Sequence, residues 1–388
     1  MTQTRTRNAS WMKAEILPSL LILLVFALSY LPHITQFGFY KDDWHMIYNG
    51  HTFGSVRIWS AFVDDRPFMG RINRWTYEAL GDAPLGWNLF AFGLRLGGVA
   101  AFYFLLRMLF PKNRAAVLGM TLIFAVYPGF LQQPNAATFQ NHLLGYSLAL
   151  VSIAFSTAAL RLRPLPAVGL TLLALGCSAM YLRIYEYMIG LEGFRWLLAA
   201  YTLRQAKNLP WKKALLQGLA AMIPYILVAG QFLFWRFFIF KSDRPATNTD
   251  LLLAQYASAP LTMVAQIGVD WVRDFFEAVV LAWFVPLYNL WVTAKPADVF
   301  AALALGAAGG GIVWGAARFS ALEGEAEGEW PRTALWIGAA GAAMAILPVL
   351  AAGRDIYFSF QFDRYTLHVT AAIALFIDAA AGGQNVLN

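Results

Sequence analysis

The run ILPSLLILLVFALSYLPHI, Ile16–Ile34, is followed almost at once by FYKDDWHMIYNG, Phe39–Gly50, and the fold turns on this pair of stretches. The first is long enough to cross a hydrocarbon layer of about 30 Å as a helix. It exceeds the length of a signal-peptide core and lacks a small-residue cleavage site, so it reads as a retained anchor. The second sets two adjacent carboxylates, Asp42 and Asp43, among aromatic residues just where the chain leaves that helix.

The rest of the chain extends the membrane reading. Hydrophobic residues make up 59% of its 388 positions and charged residues 13%, and mean hydropathy is +0.54. A soluble chain carries about 25% charged residues to wet its surface, so most of this surface must face lipid. Apolar runs recur at 16–36, 88–110, 115–131, 139–160, 165–182, 187–203, 214–240, 299–317, 334–352 and 365–381, with a further one at 275–293. The expectation is an all-α, polytopic protein with about 10–11 membrane segments and a single transmembrane domain over 1–388.

Charge between the runs gives direction. Arg5, Arg7, Lys13, Arg107, Lys112, Arg114, Arg161, Arg163, Arg204, Lys207, Lys212 and Lys213 fall on one side with a single acid, Glu15; the loop 37–87 on the other side holds five cations and six acids. The positive-inside rule then places the N-terminus in the cytoplasm and Asp42–Asp43 on the outer side of the membrane. Basic residues on such short turns are topology signals, so the net charge of +7 does not point to nucleic acid. The lone Cys177 excludes a disulfide within the chain and a cysteine-based metal site.

Two segments exceed turn length. Residues 37–87, too rich in aromatics for disorder, are expected to form a first extracytoplasmic loop with interfacial helices. Residues 240–274 are expected to form a second long extracytoplasmic loop. Pro286 divides 275–293, and Asp274 and Glu277 flank its start, so this run reads as re-entrant or interfacial, which requires protein or water to cover it.

Several residue groups can carry chemistry. A carboxylate in a partly dry pocket serves as a general base because burial raises its pKa, and carboxylates also bind divalent cations such as Mg or Mn. Asp42 and Asp43 fit either use, or simply mark a helix exit. Neighbouring side chains diverge, so one faces the reacting group while the other holds metal, substrate or backbone. Arg66, Arg71 and Arg74 are three cations on the acidic side. They either pair with Asp64, Asp65, Glu78 and Asp82, or grip phosphate with their planar forks. Glu186, at a membrane boundary, is a candidate for lining a cavity, whereas Glu192, inside a run, has Arg195 as its structural partner. Arg354 reaches a surface phosphate if its segment lies outside. Tyr40, Trp44, His45 and Trp75 offer faces and edges for a sugar. Gln132, Gln133, Asn135, Gln140 and Asn141 either bind hydroxyls or solvate a turn. Nucleotide-binding GxxxxGK[ST] and zinc-binding HExxH motifs are lacking.

Taken together, FYKDDWHMI, DDRPF (64–68), PLGWNLF (84–90), YPGFLQQP (127–134), YEYMIGLE (185–192) and DRYTL (363–367) resemble bacterial membrane proteins of the GT-C superfamily of glycosyltransferases. The likeness spans most of the chain, and the acid pair is its one functional motif. The resemblance implies inverting transfer of a sugar from a polyprenyl-phosphate carrier to a lipid, glycan or protein acceptor outside the cytoplasm. Asp42 or Asp43 would be the base or stand near a metal ion, and Arg66, Arg71, Arg74 and Arg354 would hold the carrier phosphate. Two other classes compete. A transporter or lipid flippase finds footing in Glu192 and the Pro286 segment, and the third reading is a non-catalytic GT-C-like assembly partner.

Overall fold

The computed structural model describes residues 2–242, 244, 247–319, 329–358 and 361–382. Among them every regular element is helical: α1 (Thr2–Tyr30), α2 (Asp42–Phe53), α3 (Ser55–Ser60), α4 (Pro67–Leu80), α5 (Pro84–Leu109), α6 (Arg114–Val126), α7 (Ala136–Ala159), α8 (Pro164–Ile184), α9 (Leu191–Lys207), α10 (Trp211–Ala221), α11 (Ile223–Phe234), α12 (Thr249–Ser258), α13 (Pro260–Phe276), α14 (Ala282–Thr293), α15 (Pro296–Phe319), α16 (Trp330–Ala351) and α17 (Thr370–Gly382). Prolines sit in the first turn of α4, α5, α8, α13 and α16, where the missing N–H is one the helix would leave unpaired anyway.

Among the described residues seven helices are long and apolar enough to cross a membrane, and an eighth is added if α10 and the helix 223–239 form one span bent by 53°. Pro224 causes that bend by ending the backbone ladder of the preceding turn. Shorter apolar helices cover Glu15–Tyr30 and Arg114–Val126, within two of the expected runs. These helices are compatible with an integral membrane protein. The expected span 187–203 is not among them: Glu186–Gly190 is a 3-10 turn, and α9 carries Glu192, Arg195, Arg204 and Lys207.

The region after residue 240 differs from expectation. Residues 249–258 and 260–276, within the expected second long loop, are helical, with a break at Ala259. Pro260–Thr293 forms one apolar helix of 34 residues, with a π-helical turn at Glu277–Leu281 and Pro286 inside it. A proline removes one backbone bond, which an apolar helix tolerates when neighbours serve the freed groups. At the π-turn the Tyr127 hydroxyl donates to the Ala278 carbonyl at 2.6 Å.

α7 lies at the centre, against α5 on one side and α8 on the other; α16 packs on α17 and α9. Gly338 lets α16 close on α17, since a Cβ there would stand 2.6 Å from the Phe376 amide nitrogen. Inside the bundle, Arg195 Nε bonds Glu192 at 2.7 Å, and its other nitrogens reach Ser152 and Ser156 on α7. Tyr181 and Ser178 on α8 donate to the same carboxylate. By contrast, only 11% of the apolar window in 260–293 and 6% of that in 296–315 is covered by protein. Apolar faces of that extent are untenable in water and natural in lipid.

Candidate functional site

α2 starts abruptly. Lys41, just before it, has φ +48° and ψ −116°, a conformation rarely adopted by residues other than glycine and strained by about 1–3 kcal/mol. The kink points the two acids apart. Asp42 is exposed, and its carboxylate has no hydrogen-bond partner among the described residues. Asp43 is fully buried. Its Oδ1 accepts from the Thr138 amide at 2.8 Å and the Thr138 hydroxyl at 2.7 Å, and Oδ2 accepts from the Tyr40 amide at 3.4 Å. The Thr138 amide is one of the first-turn donors that α7 cannot satisfy internally, so Asp43 caps α7 from another element. Burial raises the Asp43 pKa above the ordinary 3.8, against the bonds from Thr138 and Tyr40.

The same end of the bundle gathers the other quoted motifs. Asp363, in the 3-10 stretch Phe362–Val369, accepts from the Leu131 amide at 2.8 Å and from Gln132 Nε2 at 2.7 Å. Gln132 in turn accepts from Asn135 at 2.5 Å. Asn73 on α4 accepts from Asn141 on α7 at 2.6 Å. Trp87 and Asn88 tie α5 to the Gly81 and Phe37 carbonyls. His142 stacks on Tyr185 with centroids 3.8 Å apart and bonds the Tyr187 hydroxyl at 2.6 Å, while Tyr187 meets Tyr365 and His368 edge-on. Motifs scattered over 300 residues of sequence thus form one connected polar and aromatic layer.

Beside this layer lies a cavity of about 240 Å³. Arg66, Arg71, Arg183 and Arg236 line it together with Asp65 and Glu186, and Phe68, Phe232 and Trp235 supply an apolar wall. Arg66 Nη2 bonds Glu186 at 2.8 Å, Nη1 bonds Asp65 at 3.2 Å, and the guanidinium lies 5.3 Å from the Tyr185 ring centre. Burial works against the Arg66 charge, but Glu186 and Asp65 outweigh it and raise the Arg66 pKa further. Burial would also push Glu186 up; Arg66 overrides it and holds the carboxyl below its ordinary value. Arg244 binds Asp65 from the outside at 2.8 Å. Arg236 gives one nitrogen to the Thr247 carbonyl at 2.5 Å, while its Nη1, and Nε of Arg66, are buried with no partner among the described residues. Four guanidinium groups against two carboxylates leave the lining with a net charge of about +2, suited to a phosphate group.

Not every expected residue joins this cavity. Arg74 is drawn to Glu78 at 2.8 Å, one turn along the exposed face of α4. Arg354 is not among the residues lining it: the neighbouring Asp355 and Ile356 bind Arg273 and Asp274 of the 260–293 helix. Tyr40, Trp44 and His45 are exposed around Asp42; the Tyr40 hydroxyl accepts from the Gly38 amide, Trp44 packs edge-on against Phe39, and His45 meets Asn49 at 3.3 Å. No three His, Cys, Asp or Glu residues converge as metal ligands among the described residues. Asp43 is engaged with Thr138 and Asp42 is exposed, so the two carboxylates do not face one common point in this structure. Arg183 and Arg236 join the cavity beyond the expected arginines; the sequence signal for Arg236 is a lone cation in the apolar run LFWRFFIF, 233–240.

No protein-family model, curated protein or solved structure matches this chain.

Proposed function

We propose that this protein is an integral-membrane glycosyltransferase of GT-C type that moves a sugar from a polyprenyl-phosphate carrier to an acceptor hydroxyl outside the cytoplasm. The observation that carries the reading is the cavity of Arg66, Arg71, Arg183 and Arg236 with Phe68, Phe232 and Trp235 beside it. A lipid phosphate needs cations for its oxygens and an apolar wall for its first prenyl units, and both are present. In the reaction, the acceptor oxygen bonds the anomeric carbon as the bond from that carbon to the phosphate oxygen breaks. The electron pair leaves with the polyprenyl phosphate, and the arginines stabilise the charge that develops there. Asp42, exposed and unpaired, takes the acceptor proton. Asp43 is a positioning residue that fixes α2 on α7. The transport reading loses support because Glu192 is fully paired within the bundle and the Pro286 segment is a continuous helix.

The test is release of free polyprenyl phosphate from a panel of short-chain polyprenyl-phosphate sugars by purified protein. Release that Asp42→Asn abolishes in a folded protein supports the proposal. Neither release nor binding with any donor sinks it.

A further inference from the structure

At the opposite end of the bundle two cavities, of about 600 and 500 Å³, lie side by side and share Arg204, Glu329 and Thr333 as a common wall. Their linings differ. The larger is the more polar of the two, with Arg161, Gln205 and Asn113 near Arg204 and with Phe110, Tyr201 and Trp330 beside them. The smaller is mainly apolar, with Leu197, Leu215, Ile337 and Ala340, though Arg332 also lines it, and Trp336 on its rim is 66% exposed on the surface of α16. Arg161 is anchored: one nitrogen bonds the Met108 carbonyl at 2.5 Å and another bonds Gln205 at 2.9 Å. Arg204 is not. Its guanidinium lies 5.0 Å from the Trp211 ring centre, and its Nε is buried with no partner among the described residues. Its carboxylate partner, Glu329, stands 3.5 Å away and is 70% exposed. Such an ion pair contributes little and yields readily to a better anion.

We propose that this double cavity binds an anionic amphiphile, with a phosphate headgroup in the polar chamber on Arg204 and Arg161 and an apolar chain in the neighbouring chamber. Basic pockets between membrane helices favour anionic headgroups, and arginine grips phosphate oxygens through paired N–H groups. The adjoining apolar chamber gives such a ligand a place for its chain that a soluble anion would not need. The site is separate from the arginine cavity of the proposed reaction: no residue lines both, and α8, which runs from just after Arg161 to Arg183, holds them about 30 Å apart at 1.5 Å per residue.

The experiment titrates purified full-length protein in neutral detergent with phosphatidylglycerol, phosphatidylcholine or glycerol phosphate, read by native mass spectrometry. Phosphatidylglycerol should be retained at least about tenfold better than phosphatidylcholine, a difference of about 1.4 kcal/mol. Arg204→Gln should abolish that preference, and Arg163→Gln, an exposed cation outside both cavities, should keep it. Ala340→Phe, which fills the apolar chamber, should weaken phosphatidylglycerol without touching the arginines, and it serves if Arg204→Gln fails to fold. Glycerol phosphate competing as well as the lipid would overturn the chain-binding half and make the ligand a soluble phosphate. Equal retention of both lipids, or a preference unchanged in both Arg204→Gln and Ala340→Phe, would overturn the proposal outright.

Discussion

Asp42 and Asp43 are neighbours in sequence and opposites in environment, which makes their substitutions separable. Asp43→Asn keeps an oxygen for the Thr138 amide and hydroxyl, whereas Asp43→Ala strands both donors in a buried place. An unsatisfied buried group costs about 1–3 kcal/mol, so Asp43→Ala should lower thermal stability in detergent clearly and Asp43→Asn only slightly. The pH dependence has a definite sign. Because burial raises the Asp43 pKa, its contribution to stability is fully present below about 3.8, the ordinary aspartate value, and is lost as pH rises through the raised value. Asp43→Asn should therefore gain on wild type as pH rises from 4 towards neutrality; a gap that is constant across that range would contradict the burial argument. Asp42→Asn, at an exposed position, should leave the protein folded while abolishing transfer. Arg66 differs again, because one planar fork bridges Asp65 and Glu186. Arg66→Lys keeps the charge but cannot span both carboxylates, and we expect donor KM to rise about tenfold, equivalent to about 1.4 kcal/mol, with kcat less affected.

Helices here are held by a few polar staples set in apolar packing, and the strongest joins α9 to α7 and α8. Arg195 is 1% exposed and contacts Glu192, Ser152, Ser156 and the Tyr225 ring, whose centre lies 4.2 Å away. Removing one partner of a buried pair costs about 3–5 kcal/mol. Glu192→Ala should thus collapse folded yield or lower Tm sharply, with transfer per folded molecule retained. Normal folding with transfer lost would assign Glu192 a functional role instead. Sequence reasoning anticipated this pair because three-residue spacing on a helix brings side chains together. The two alternatives for the 66–74 arginines both occur: Arg66 and Arg71 line the cavity, while Glu78, one turn further on, takes Arg74 away from it. Sequence reasoning was silent on Arg236, which reaches the cavity only because the chain bends by 53° at Pro224 and enters a π-helical turn. Nor could periodicity separate a re-entrant run from the continuous 260–293 helix, since one proline reads alike in both. The apolar helices themselves were legible because lipid-facing surface leaves a compositional mark that no local rearrangement removes.

The arrangement of the molecule as a whole hangs on which end faces the cytoplasm. Basic residues concentrate at the end where α5, α7 and α9 finish, and the acids of 37–87 lie at the other. Charge asymmetry of this kind fixes orientation during insertion, so Asp42 and the arginine cavity should face outwards, as the proposed function requires. A single native cysteine makes the direct test simple. In a Cys177→Ser background, Thr52→Cys places a thiol at the exposed end of α2, and Lys212→Cys places one at the exposed start of α10. A membrane-impermeant maleimide on intact cells should label the first and spare the second until the membrane is permeabilised. The reverse pattern would put Asp42 in the cytoplasm. The arginine cavity would then meet a soluble or cytoplasmic-leaflet phosphate, and the polyprenyl-phosphate donor would have to be given up even if the cavity chemistry survived.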